Sequence, residues 1–397
     1  VFSRRLPWPA KENRLSQELG DKRRSGAALL DLTESNPTRV ALPYPAERLS
    51  EAFAASNLAS YEPDPRGHEA ARQAVASFCA SRGQAVAPER IVLTSGTSDA
   101  YGWLFRLLAD PGDAVLIPRP SYPLFEHLAA LDSLRAETYP IVLDPDWRID
   151  LEAIDRALNA EAIRVPRAVI LVNPNNPTGT SLGEPERRAL GEICVRRRVP
   201  LVSDEVFLDY RFEGANPAVS VAGPRPAGEK RPLSFTLGGL SKSCGLPQMK
   251  LGWILVDGPE AEAREALDRL EFIADSYLPV GTPVQRAASA LLVIGEEIGA
   301  LILRRVLANH ATLRASLQGG SSCRLLPAAG GWYAVLQVPA VLPEEEMVLL
   351  LLREDEVLVH PGYFFDFPRE AFLVLSLLPD PAIFAEGVRR ILARVGG

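Results

Sequence analysis

Residues 168–205 read AVILVNPNNPTGTSLGEPERRALGEICVRRRVPLVSDE, and this stretch decides the fold. Ala168 to Val172 is a continuous apolar run, the pattern of a strand covered on both faces. Asn173–Gly179, with two prolines and a glycine, breaks it. Glu184 to Arg198 then reads as an amphipathic helix, and Pro200 to Ser203 as a second strand ending on Asp204-Glu205. Working outward, the same alternation recurs. Strands are expected at Arg90–Thr94, Ala114–Ile117, Arg135–Tyr139, Pro232–Leu237 and Lys250–Val256, and helices at Ser98–Ala109, Tyr122–Leu131, Ile149–Leu158 and Glu260–Ser276. Apolar strands alternating with helices specify an α/β protein with a mainly parallel sheet sandwiched by helices.

The ends of the chain differ. A short helix is expected around Lys11 to Arg24, then a polar, proline-containing segment at Leu32–Thr38, either a surface loop or a lid over a pocket. Beyond a breaker at Leu278–Pro283, a long helical region runs to about Leu317. Strands at Trp332–Val338, Val357–Val359 and Phe372–Leu377 and helices near Glu344–Arg353 and Ala382–Val395 form a smaller α+β unit.

Composition narrows the function classes. With 397 residues two domains are expected, and an apolar share of 47% and a charged share of 23% are those of a soluble globular protein. A net charge of -7 gives no electrostatic reason to bind nucleic acid or an acidic membrane. The four cysteines have no CxxC spacing, which fits a reduced, cytoplasmic setting. Four histidines without metal-ligand spacing give no candidate metal site. No apolar run is long enough to span a bilayer, and the N-terminal stretch does not read as a signal peptide.

In a parallel sheet, ligands gather at the carboxyl ends of the strands. Four polar segments fall there: Ser95-Gly-Thr-Ser98, Asn173–Gly179, Asp204-Glu205 and the segment containing Lys242. Ser95–Ser98 joins a strand to a helix, where free N–H groups favour an anion, although Ser and Thr there also serve as plain caps. It has neither a Walker lysine nor GxGxxG spacing. Asp204 ends a strand that should be buried. It is either a structural cap or a fixed negative charge that keeps a ring nitrogen protonated. The prolines around Asn176 fix the direction of the amide side chains. Lys242 sits among the small residues Gly238, Gly239 and Ser241, where a lysine amine can condense with a carbonyl.

The order of Tyr61, Ser95–Ser98, Asn173–Gly179, Asp204-Glu205 and Ser241–Gly252 resembles the fold type I pyridoxal phosphate enzymes, specifically the class I/II aminotransferases. The resemblance runs from Asn36-Pro37 to the C-terminal strand. It implies a large cofactor-binding domain (46–284), a small domain from both termini (1–45 plus 285–397), and a homodimer with the active site at its interface. It also implies pyridoxal 5'-phosphate as cofactor, with Lys242 as Schiff-base lysine and proton shuttle. Asp204 matches the partner of the ring nitrogen, Asn176 that of the ring oxygen, and Tyr122 the aromatic stacked on the ring. Gly96, Thr97 and Ser98 match the phosphate cradle, and Tyr61 the tyrosine that reaches the phosphate from the other subunit.

Several positions depart from that family's pattern. Phe207 stands where a tyrosine is usual, Gly239 where a serine is common, and Lys250 replaces an arginine, keeping charge without the planar fork. In Phe372–Leu377, aligned with a strand reading xRLSF, Leu375 is expected at the position of the arginine that clamps the substrate carboxylate. Asn36, Arg39 and Arg66 are the candidate substrate residues in its place. The expected activity is amino-group transfer between an amino acid or amine donor and a keto acid. A lyase, decarboxylase or cyclising enzyme, or a non-catalytic cofactor-binding regulator, are the alternatives.

Overall fold

A computed structural model of the chain describes all residues except 1, 7–11, 55–58, 85, 160–164, 216–217, 227, 279 and 397. The start of the expected first helix, at Lys11, therefore lies outside the described residues. The helix itself spans Arg14–Arg24, with the Asn13 side chain accepting from the backbone N–H of Ser16.

The centre of the molecule is an eight-stranded sheet. Its strands run, in spatial order, Ile91–Thr94, Gly252–Asp257, Ser234–Gly239, Leu201–Asp204, Val169–Val172, Ala114–Arg119, Arg135–Leu143 and Trp147–Ile149. From Ser234–Gly239 to Arg135–Leu143 every neighbour pair is parallel. Gly252–Asp257 is antiparallel to both of its neighbours, and Trp147–Ile149 closes the far edge antiparallel. Ile91–Thr94, Val169–Val172 and Leu201–Asp204 are buried along their whole length. Alternate side chains enter opposite faces. Val92, Ile170, Val202 and Phe235 pack under the helices Thr97–Leu108 and Glu260–Tyr277. Val169, Leu171 and Leu201 face Glu184–Arg197 on the other side.

A four-stranded antiparallel sheet holds Arg324–Leu325, Tyr333–Gln337, Phe372–Ser376 and His360–Pro361 in that order. The N-terminal segment pairs with the C-terminal region in a separate two-stranded sheet, Leu30–Asp31 running parallel to Val357–Leu358. The expected strand at Val357–Val359 thus ends at Leu358, and a separate strand, His360–Pro361, follows in the four-stranded sheet. The helix Thr282–Ser316 is unbroken and packs against the helices Ala46–Ala54, Glu69–Ala80 and Pro381–Val395.

Two further expectations need correction. Ile149 does not begin a helix but ends the strand Trp147–Ile149. The helix is Leu151–Ala157, capped by the Asp150 side chain, which accepts from the Ala153 N–H at 2.8 Å. The helix expected from Tyr122 starts at Leu124, because Pro123 holds the turn before it.

Candidate active site

All the strand ends singled out above meet at one edge of the large sheet, where they line a cavity of about 730 Å³. Gly96, Thr97, Ser98, Tyr122, Asn176, Asp204, Lys242 and Lys250 are all in its wall. Lys250 arrives there because it precedes a strand antiparallel to its neighbours, so that strand's start lies at the carboxyl edge of the others.

Lys242 stands on a single helical turn, Leu240–Ser243, following the strand Ser234–Gly239. Two phenols pin this turn from outside: Tyr210 donates to the Lys242 carbonyl at 2.6 Å and Tyr44 to the Gly245 carbonyl at 2.6 Å. The ammonium nitrogen lies 4.9 Å from the centroid of the Trp332 ring. Burial lowers the Lys242 pKa, opposed by the charge of Asp204. The amine is thereby biased toward its neutral, nucleophilic form.

Asp204 is buried, and burial raises its pKa to about 6 against the backbone N–H of Val206 and the hydroxyl of Tyr101, both of which donate to it at 3.2 Å. Its neighbour Glu205 does something different. It points away from the cavity and accepts from Gln84 Nε2, Ser203 Oγ and the Val221 N–H, each at 2.8 Å, so its role is to tie loops together.

The three asparagines of Asn173–Gly179 also separate. Asn173 bonds the Val219 carbonyl and the Leu182 N–H, and Asn175 bonds the Pro120 carbonyl and Thr178 Oγ1. Asn176 alone faces the cavity, and its buried Oδ1 has no partner among the described residues. A buried polar atom left unpaired is costly, so this one is placed for a ligand.

At the opposite end of the cavity, Gly96 adopts φ +148°, which L side chains rarely adopt, and opens the helix Thr97–Leu108. Its turn offers backbone N–H groups with Ser95, Ser98 and Ser241 hydroxyls and the Lys250 amine nearby, the donor set of an anion site. The glycine in place of serine at Gly239 has a steric reason. A Cβ there would come within 3.2 Å of Gly252 Cα and Leu251 O, which belong to the paired strand.

Three expected site residues lie elsewhere. Tyr61 is 65% exposed and outside the cavity. Asn36 spends its amide oxygen on the N–H and hydroxyl of Thr38, at 3.0 and 2.8 Å. Arg66 pairs with Glu271 at 3.0 Å and donates to the Glu89 carbonyl. Arg39 does line a second, adjoining cavity of about 390 Å³ that shares Ser35, Tyr122 and Tyr333 with the first.

The register of the C-terminal sheet moves one expectation by a residue. Tyr333 lines both cavities and pairs with Ser376, while Val374 pairs with Val335 and His360. Directly paired residues share a face, and so do residues two apart. Val374 therefore shares the face of Tyr333 and His360. Leu375, paired with Ala334, points into the core behind it.

Tyr101, Trp332 and Tyr333 were not foreseen. Tyr101 had a signal, since it follows Thr97 by four residues and so shares its helix face. Trp332 and Tyr333 sit in no motif, and only tertiary packing brings them to Lys242.

A parallel α/β sheet that gathers a lysine, a buried carboxylate and a glycine-led anion turn on one edge is the framework of a cofactor-dependent transferase. The chain belongs to the aminotransferase class I and II family, whose sequence profile matches residues 28–391. It is 26% identical over 376 residues to a glutamate-pyruvate aminotransferase AlaA of Haemophilus influenzae, covering 92% of this chain and 90% of that one. It is 30% identical over 225 residues, 56% of this chain and 47% of the other, to the S-alkyl-thiohydroximate lyase SUR1 of Arabidopsis thaliana. An alanine aminotransferase structure from Pyrococcus furiosus shares the fold, with a TM-score of 0.86, 22% identity and 99% coverage of both chains. Among the described residues, no helix is long and apolar enough to cross a membrane and no cluster of side chains could hold a metal ion.

Proposed function

We propose that this chain is a pyridoxal phosphate-dependent aminotransferase working by a ping-pong cycle between an amino donor and a keto acid. The observation that carries the reading is the convergence of Lys242, Asp204 and Asn176 on one cavity beside the Gly96 turn. The residues fit the cofactor. Asn176 faces the cavity, where its amide Nδ2 would donate to the ring oxygen, and the buried Asp204 would supply a counter-charge for a ring nitrogen. The donors of Gly96, Thr97 and Ser98 with Lys250 would hold the phosphate, and Tyr122 would cover one face of the ring.

The cofactor, when bound, supplies an electron sink for negative charge developing at the substrate's alpha carbon. The protein supplies the rest. Lys242 would hold the cofactor through its amine and would take up and return the proton at the substrate's alpha carbon. Asp204, held by Tyr101 and Val206, would keep positive charge on the ring nitrogen favourable. Trp332 and Phe207, packed edge to face at 5.4 Å, keep water from the side of the cavity nearest the lysine.

The division into a large domain (46–284) and a small one (1–45 with 285–397), a homodimer, and a cytoplasmic location complete the proposal. Tyr61 supports the dimer: an exposed tyrosine outside its own cavity is suited to complete the phosphate site of a second copy. Of the substrate candidates, Arg39 is retained, because Asn36 and Arg66 are engaged elsewhere. The likeness to a lyase, together with the missing strand arginine, favours carbon–sulfur or related lyase chemistry as the second reading.

Protein loaded with pyridoxal phosphate and mixed with a panel of amino donors should convert to the pyridoxamine form while releasing a keto acid. Release of ammonia instead would select the lyase, and no spectral change with any donor would reject both.

Phe207 gives a separate expectation. A phenol at that position would donate to the ring oxygen and compete with its hold on the nearby imine proton. Phe207→Tyr should therefore lower the pH midpoint of the chromophore's colour change by about 1 unit. An unchanged or raised midpoint in the spectroscopic titration would show that the hydroxyl does not reach the ring.

A further inference from the structure

The adjoining cavity of about 390 Å³ is where a substrate would extend beyond Lys242, since Ser35, Tyr122 and Tyr333 belong to both spaces. Its sheet wall carries no fixed cation. His360 lines it, paired in the sheet with the fully buried Val374, and burial holds the His360 imidazole neutral, with a pKa of about 4 despite the Asp31 carboxylate. The charged groups that line the cavity are Asp31, Glu34, Arg23 and Arg39.

These four are not equally fixed. Asp31 accepts from the Thr33 N–H at 2.8 Å and its hydroxyl at 2.6 Å, and Glu34 accepts from the Asn36 N–H at 2.8 Å. Arg39 rises from a turn set by Pro37 and the Asn36 cap, with its own N–H bonded to the Asn36 carbonyl. Its backbone is thus placed, yet its side chain is 71% exposed and touches Glu34, itself 24% exposed, only loosely at 3.7 Å. A guanidinium held by one long ion pair at the rim of a cavity is free to change partner.

We propose that Arg39 is the carboxylate anchor of this enzyme, and that Glu34 is its resting partner, which an incoming substrate carboxylate displaces. The proposal rests on the aminotransferase reading and names the substrate class, carboxylate-bearing amino and keto acids. It also assigns Glu34 a specificity role. A carboxylate taking its place beside Arg39 is repelled by Glu34, so Glu34 weakens the grip on every carboxylate substrate and disfavours those with a second carboxylate most.

The test separates binding from turnover. In a Lys242→Ala background loaded with pyridoxamine phosphate, binding of pyruvate, 2-oxoglutarate and 4-hydroxyphenylpyruvate, and of pyruvamide as the uncharged control, is measured by calorimetry. Arg39→Ala should weaken the keto acid that binds best by about 10- to 100-fold, with Arg39→Lys recovering part of the loss and pyruvamide nearly unaffected. Glu34→Gln should tighten keto acid binding by about 3- to 10-fold, most for 2-oxoglutarate. Arg23→Ala should change little. The proposal is overturned if Arg39→Ala leaves keto acid binding unchanged, if Glu34→Gln weakens it, if Arg23→Ala gives the large loss, or if none of the three keto acids binds. Failure of the aminotransferase reading shows separately, as no keto acid formation from any donor by the unmodified holoenzyme.

Discussion

Lys242→Ala should lower turnover by at least about 10⁴-fold, because one amine performs two tasks. Under the proposed function it would link the cofactor covalently and would carry the proton at the alpha carbon. Neither is available from a neighbour. The other lysine in the wall, Lys250, lies at the anion end of the cavity, and the phenols close to the Lys242 turn are spent on backbone carbonyls. Cofactor binding should persist in the variant, since the Gly96 turn, Asn176 and Asp204 are untouched. Rapid-mixing spectroscopy with the best donor checks this. A loss of less than tenfold would mean that another group moves the proton.

Asp204→Asn should cost about 10²- to 10³-fold in kcat while leaving the fold intact. The amide keeps the shape: its one oxygen can still accept from the Val206 N–H, while its NH2 group can donate to the Tyr101 hydroxyl oxygen, so packing around it is conserved. What it loses is the negative charge. Without it, a buried ring nitrogen is no longer favoured in its protonated form, and the negative charge drawn from the alpha carbon has a poorer sink. The effect belongs in kcat rather than KM, because the carboxylate stabilises charge that develops during reaction. Steady-state kinetics with both substrates varied provides the check, and an unchanged kcat would remove Asp204 from the mechanism. Tyr101 is expected to share part of this role through its bond to the same carboxylate.

Much of this site was legible because chemistry and topology coincide at strand ends. Continuous apolar runs such as Ala168–Val172 and Val199–Val202 read as buried strands, and the polar residues that follow them then emerge at one edge. What was not legible depended on tertiary packing or on register. Trp147–Ile149 is a three-residue edge strand with one buried side chain, too short to show a period. Asn36, read as a substrate contact, lines neither cavity and spends its amide oxygen on its own turn, a local bond that a motif does not reveal. Placing Leu375 rather than Val374 on the sheet face of Tyr333 and His360 is a slip of one residue. In a strand buried on both faces, Phe372–Ser376, nothing in the hydrophobic pattern distinguishes the two registers. The ladder with Tyr333 and His360 does. That same ladder exposes the neutral wall on which the case for Arg39 rests.

The central claim is that Lys242 is the residue linked to the cofactor. The sequence offers only five lysines, 11, 22, 230, 242 and 250, so the claim reduces to a choice among few sites. Borohydride reduction of the pyridoxal phosphate-loaded protein, followed by peptide mass spectrometry, tests it directly. The account predicts a single phosphopyridoxyl adduct on the peptide containing Lys242, and an adduct on any other lysine, with Lys242 unlabelled, would contradict it.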